Sequence, residues 1–369
     1  MISTQFGARY RPPLLPMITP PSLTESKAYC RRTLPLVSRT FALNIKMLSG
    51  DLHWAVLDGY LICRTLDTVE DASGLSAADK IALLHTYLEA LQKPALDLTH
   101  LHAWQERLLP LQALPHETDL LAHAEKVLIV FFSLPESKRK AMLPAILTMG
   151  RGMADFLERG DRHDFAQLRD EKELEEYCYI VAGTVGEMLT ALFSEDLGKR
   201  PENEGMRVLE RYQVDFGLGL QLTNILKDWA ADRQRKWCYI PKSEMERENL
   251  TLEDFYENTF PEKNRQIFNR LYQKTAAYLR NALEYTLAIP ASQIRKRWFC
   301  ALPLLLAAET LAHLKRFADA PVLENPTTES PYKISRRKVK ILLWLLPVVT
   351  PFNWSLRLCF EGRMKSLAA

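Results

Sequence analysis

The chain has no C-x-x-C pair, and its six cysteines, Cys30, Cys63, Cys178, Cys238, Cys300 and Cys359, are too scattered for a zinc site. They read as reduced, mostly buried thiols, which excludes a disulfide scaffold. An excess of charge is also missing. Lys and Arg total 48 against 45 acids, and a net charge of +3 gives no reason to invoke a nucleic-acid partner. No G-x-G-x-x-G follows a strand; Gly217-Leu218-Gly219 falls within a helical pattern, which argues against a Rossmann site. No Gly/Ser-rich linker divides the chain and no internal repeat of fixed period is visible. The first twenty residues hold Arg9, Arg11 and several prolines but no continuous apolar run, so no signal peptide is expected and the setting is read as cytoplasmic. The sequons at Asn249 and Asn353 then carry no weight.

Strand-type alternation is nearly absent as well, and helical periodicity takes its place. From Ser76 the chain reads SAADKIALLHTYLEALQK, with Ser76 and Asp79 as a capping pair and Ile81, Leu84, Leu88 and Leu91 on one stripe before Pro94. Similar patterns run over 126–134, 136–157, 172–193, 205–235, 263–286 and 298–316, punctuated by Pro110, Pro115, Pro135, Pro201, Pro241, Pro261 and Pro290. One all-α domain is the simplest reading. His100-Leu101-His102 lacks a third ligand and is assigned to a surface loop. Trp104, Trp237 and Trp298 are taken as core or edge residues.

Two acidic clusters interrupt these apolar helices. In AVLDGYLICRTLDTVEDAS, Tyr60, Arg64, Asp67 and Asp71 share a helical face, with Glu70 beside them. In DFGLGLQLTNILKDWAADRQRKW, Gln221, Asn224, Asp228 and Asp232 form a polar stripe flanked by Leu218, Leu222, Ile225, Leu226 and Trp229. A solvated salt-bridge pattern is the plain alternative, worth only about 0.3–0.5 kcal/mol per pair. The apolar flanks favour inward-facing acids instead, and such acids need cations. Mg²⁺ suits them, because it takes carboxylate, water and phosphate oxygen. Two such faces would clamp a diphosphate and let an allylic C–O bond ionise inside a dry helical pocket.

Ordered motifs now carry a resemblance. Ser38-Arg39-Thr40-Phe41, then Tyr60 and Arg64 ahead of Asp67-Thr68-Val69-Glu70-Asp71, resemble the start of squalene and phytoene synthases. Gly152-Met153-Ala154-Asp155-Phe156-Leu157, the run Tyr177 to Gly186 and the run Gln221 to Asp228 follow in family order. The resemblance extends from Ser22 to about Lys340. It implies an isoprenoid-synthase helical bundle with a central apolar cavity: a flexible segment over 1–21, the catalytic domain over 22–332, and a basic, apolar segment over 333–369. Cys300-Ala301-Leu302-Pro303 and the runs 307–312 and 333–338 are similar to squalene rather than carotenoid-type members.

The implied reaction joins two farnesyl diphosphates head to head into presqualene diphosphate, then reduces and rearranges that intermediate to squalene with NADPH. The implied alternative is a dehydrosqualene or phytoene synthase, which omits the reduction. An inactive family member serving as a membrane assembly factor ranks below both, since the acids and their basic partners are retained. The resemblance assigns Asp67, Glu70, Asp71, Asn224, Asp228 and Asp232 to Mg²⁺ (or Mn²⁺) and diphosphate. It assigns Ser38, Arg39, Phe41, Arg64, Lys227, Gln221 and Asn224 to substrate diphosphate binding, and Tyr177 to proton handling, with Tyr60 beside the first cluster. Ala231 departs from the pattern, standing where eukaryotic squalene synthases carry Glu, so the second cluster is thinner by one carboxylate.

NADPH, if used, would be bound by charge, and the candidates are Lys333, Arg336, Arg337 and Lys338. Anionic lipid headgroups suit the same cations. The stretch that follows, ILLWLLPVV, is shorter than the roughly 18 apolar residues of a membrane span. It reads as an interfacial helix, with a buried terminal helix as the alternative. A monomer is expected.

Overall fold

The computed structural model describes residues 21–160, 166–197, 204–233, 236–318 and 334–365. Helices dominate, and the described strands are a two-residue parallel pair, β1 (Ala166–Gln167) and β2 (Trp237–Cys238). The expected all-α bundle is therefore the observed one. Its long members are α3 (Gly50–Asp71), α8 (Glu136–Gly160), α11 (Glu204–Asp232), α14 (Pro261–Ala288) and α15 (Ile294–Ala318). The pattern over 172–193 resolves into α9 (Glu171–Cys178), a π-helical turn (Tyr179–Gly183) and α10 (Thr184–Leu197). Periodicity places these elements within a few residues because each buries one continuous stripe.

Local signals explain the ends. Ser76 accepts the Asp79 N–H and starts α4 (Ala77–Gln92), while Pro115 and Pro261 occupy first turns of α6 (Pro115–Ala122) and α14, where a missing N–H costs nothing. His100 and His102 correct the loop assignment. They lie in α5 (Leu98–Arg107), whose first turn is capped by Asp97 accepting the His100 N–H at 3.0 Å. Trp104 is core, its indole N–H donating to the Leu83 carbonyl at 2.9 Å. The six cysteines are free, as expected, and burial raises the Cys63 thiol to about 12.

Around the cavity, α11 packs along α14 on one side and along the π turn and α10 on the other, while α8 lies against α3, α4 and α10. Two glycines permit the closest approach. A Cβ at Gly186 would lie 1.8 Å from the Gln213 carbonyl oxygen, and one at Gly217 would lie 2.1 Å from that of Ala182. Only glycine lets the two backbones meet there.

α3 also carries a cost. Asp58 is completely buried, with neither carboxylate oxygen hydrogen-bonded, and burial pushes its pKa well above the ordinary value. The folded state thus holds a proton that the unfolded chain releases above about pH 4, so stability falls as pH rises, by up to about 1.4 kcal/mol per unit. Asp58→Asn keeps the volume but cannot ionise. Its melting temperature should exceed wild type at pH 8, and the gap should close toward pH 5. Parallel wild-type and variant pH profiles would refute this account.

Candidate active site

The inward stripe of α3 supplies Val56, Tyr60, Cys63, Arg64 and Asp67 to one wall of a partly open cavity of about 290 Å³. Opposite, α11 supplies Phe216, Gly217, Leu220, Gln221 and Asn224, and the π turn with its flanks supplies Tyr177, Val181 and Ala182. Phe41 and Ile45 from α2 (Arg39–Ile45), Met149 and Met153 from α8, and Phe299 and Pro303 from α15 complete an apolar lining. Apart from Tyr177, the polar members of the lining come from the later turns of α3 and α11, which face each other across the cavity. A π turn in a wall of this kind is a common mark of a functional helix.

Arg64 organises the α3 side. Its Nη1 donates to Asp67 Oδ2 at 2.5 Å, and Nη2 pairs with Glu117 from α6, a residue the sequence reading missed. Glu117 also accepts the Leu114 N–H at 3.2 Å, so one carboxylate both caps α6 and holds Arg64. Asp67 has a side chain 34% exposed, and that surface opens into the cavity. Burial, and then the neighbouring Asp71, raise its pKa to about 6 against the pull of Arg64. Tyr60 packs its ring 5.4 Å from that of Phe41, and burial raises its pKa while Ser38 opposes the rise.

On the other side, Lys227 donates to Asn224 Oδ1 at 3.1 Å and pairs with Asp228 at 3.2 Å. Asp232 is buried. A second missed residue links the two acid clusters. Tyr239 follows β2, stacks on Tyr177 with centroids 4.7 Å apart, and accepts a hydrogen bond from the Tyr177 hydroxyl at 3.1 Å. Burial raises both phenols; Glu70 and Asp71 from α3 add to the rise in both, and Asp232 from α11 adds to it in Tyr239. The tyrosine pair therefore feels Glu70 and Asp71 of α3, and Tyr239 feels Asp232 of α11 as well.

The remaining candidates divide. Ser38 caps α2 by accepting the Phe41 N–H at 3.3 Å, so that backbone donor is already engaged. Phe41 also lines the cavity, its ring against that of Tyr60. Lys333 and the side chains of Arg39 and Arg336 lie outside the described residues. Lys338 is paired with Glu309 at 2.6 Å and Arg337 is exposed.

Among the described residues no three His, Cys, Asp or Glu side chains form a ready-made metal cage. The chemistry of the donor set still fits Mg²⁺, which commonly takes one or two carboxylates and completes its shell with water and substrate phosphate. Asp67, half-enclosed and with its proton affinity raised beside Asp71, is a carboxylate that a divalent cation would stabilise.

A model of the squalene/phytoene synthase family matches residues 34–342. Over 318 residues the chain is 28% identical to a squalene synthase of Bos taurus, covering 85% of this chain and 69% of that one. Over 300 residues it is 29% identical to a squalene synthase of Mus musculus, covering 81% and 66%. The chain thus spans about two thirds of the length of these relatives. A solved complex of TcSQS with the ligand BPH1237 superposes with a TM-score of 0.75 at 22% identity, covering 93% of this chain and 92% of that one. A dehydrosqualene synthase in complex with ligand gives 0.56 at 22%, covering 88% and 96%. At these identities the superpositions speak for the fold.

Proposed function

The chain belongs to the squalene/phytoene synthase family, and we propose that it joins two prenyl diphosphates head to head with loss of diphosphate. The observation that carries this reading is the buried Tyr177–Tyr239 pair, set between acids of α3 and α11 beside an apolar cavity. Asp67, Glu70 and Asp71 with Asn224, Asp228 and Asp232 are the residues that would hold Mg²⁺. When bound, the metal supplies positive charge to a departing diphosphate. Arg64 and Lys227, with Ser38 and Arg39, supply donors for its oxygens; an Arg fork suits two of them at once. Gln221 lines the same polar region.

The rest of the lining is largely apolar. Phe41, Val56, Met153, Leu189, Phe216 and Phe299 would surround the hydrocarbon and limit the water that can reach an allylic cation. Burial keeps Tyr177 and Tyr239 neutral, so neither is a standing phenolate. On cyclopropane closure the Tyr177 hydroxyl would take up the proton lost as it gives its own to Tyr239, and Tyr239 would give its own to a final base, either an oxygen of the departed diphosphate or a carboxylate among Glu70, Asp71 and Asp232.

The finer reading is a squalene synthase acting on farnesyl diphosphate as a cytoplasmic monomer, with reduction by NADPH in the second step. Similarity to squalene synthases over 85% of the chain supports it; no residue described above is assigned to the hydride step. The test is purified protein with Mg²⁺ and farnesyl diphosphate, with and without NADPH. Presqualene diphosphate should form in both, and squalene only with the reductant. Dehydrosqualene under both conditions, or activity only on geranylgeranyl diphosphate, would overturn the finer reading. No product from either substrate would overturn the condensation itself.

A further inference from the structure

We propose that Glu117 is a counter-charge that occupies Arg64 and so keeps a diphosphate from being captured before a divalent cation is in place. This role rests on the diphosphate site proposed above. Arg64 lines the cavity, whereas Glu117 is not part of the lining and reaches the site through Arg64. Both ends of the Arg64 fork are engaged, Nη1 by Asp67 at 2.5 Å and Nη2 by Glu117. Its Nε–H is buried with no hydrogen-bond partner. Arg takes a phosphate best through two parallel N–H bonds, and here each Nη already serves a carboxylate.

The fold fixes Glu117 in that place. Ser73, two residues past the end of α3, exchanges backbone hydrogen bonds with Gln112 at 3.1 and 2.8 Å. Next to it Gly74 holds φ at +89°, where a Cβ would lie 2.2 Å from the Pro110 carbonyl oxygen. The connector before α6 is thus clamped to the end of the helix that carries Arg64. From the other side α1 (Leu23–Val37) places the Tyr29 hydroxyl 2.9 Å from both the carbonyl oxygen and Oδ2 of Asp119. Glu117 accepts the Leu114 N–H, and its side chain is only 12% exposed. Salt screens a carboxylate in this position much less than it screens a surface charge.

The charges decide what the contact does. One guanidinium between two carboxylates carries a net negative charge, and Glu70 and Asp71 follow in the last turn of α3. An approaching diphosphate meets like charge there and an occupied fork. When Asp67 gives its charge to a cation, Arg64 and Glu117 remain as a neutral pair and Nη1 comes free for a phosphate oxygen. Capture is then ordered, cation before substrate. Without the Glu117 charge, Arg64 and Asp67 alone would be neutral, and the anion could bind first.

The experiment is calorimetric titration of the full chain with inorganic diphosphate, once in EDTA and once in saturating Mg²⁺. Wild type should bind weakly in EDTA and far more tightly with Mg²⁺. Glu117→Gln should bind at least about tenfold more tightly than wild type in EDTA, the scale of removing one poorly screened charge beside an anion, and should match wild type with Mg²⁺. Gln also serves at the third position of a capping box, so the start of α6 is kept, and the melting temperature checks that the fold is intact. Glu117→Asp retains the charge and gives up only reach, and it should show no gain. Equal binding of wild type and Glu117→Gln in EDTA would overturn the proposal. So would a gain shared by Glu117→Asp, or a loss by Glu117→Gln in both conditions, which would make Glu117 a residue that orients Arg64 rather than one that occupies it. Failure of wild type to bind diphosphate even with Mg²⁺ would overturn the diphosphate site itself, and this role with it.

Discussion

Asp67→Asn is expected to lower turnover on farnesyl diphosphate by about 10²- to 10³-fold, the range for losing one preorganised electrostatic contact at a reacting centre. Asp67 is the acid that opens into the cavity, and burial together with Asp71 has already raised its pKa to about 6. A carboxylate held at that cost has a use for a cation. Mg²⁺ must displace a proton below about pH 6, so the Mg²⁺ concentration for half-maximal activity should climb as pH falls through that value. Asparagine cannot show that climb. Asp228→Asn should cost less, because Asp228 is not among the side chains that line the cavity. Steady-state rates at saturating Mg²⁺ and at two pH values measure all of this. If Asp67→Asn keeps more than half of wild-type turnover, the α3 cluster is not the metal side of the site.

The inequality of the two clusters was legible in the sequence, and its physical form was not. Spacing alone put Asp67 with Asp71 and Asp228 with Asp232 on single helical faces, and Ala231 marked the second set as thinner. What spacing cannot carry is a contact across the fold. Glu117 lies 53 residues from Arg64, and its local signal, third in a turn opened by Pro115, announces only a helix start. Tyr239 lies 62 residues from Tyr177 and reaches it because the short β1–β2 pairing fixes the chain beside α9. The C-terminal stretch was ambiguous for a different reason. Its apolar residues circle the helix, so sequence gave no way to choose between packing and exposure, and the fold uses both.

Tyr177→Phe carries the other large effect, because general acid–base groups contribute about 10²- to 10⁴-fold and this hydroxyl is the only part of the side chain removed. The ring stack on Tyr239 at 4.7 Å survives the change, so folding should be preserved. A modest loss of stability is expected, about 1–3 kcal/mol at most, since Tyr239 loses a buried hydrogen-bond partner. Formation of presqualene diphosphate should collapse, while conversion of supplied presqualene diphosphate with NADPH should be affected far less. Tyr239→Phe sharpens the argument. If the two hydroxyls pass one proton in sequence, the double variant should be hardly worse than Tyr177→Phe alone, because breaking either link stops the relay. Independent, additive losses would mean that the pair merely packs. Normal presqualene diphosphate formation by Tyr177→Phe would remove the tyrosine from the chemistry and leave proton transfer to the departing diphosphate.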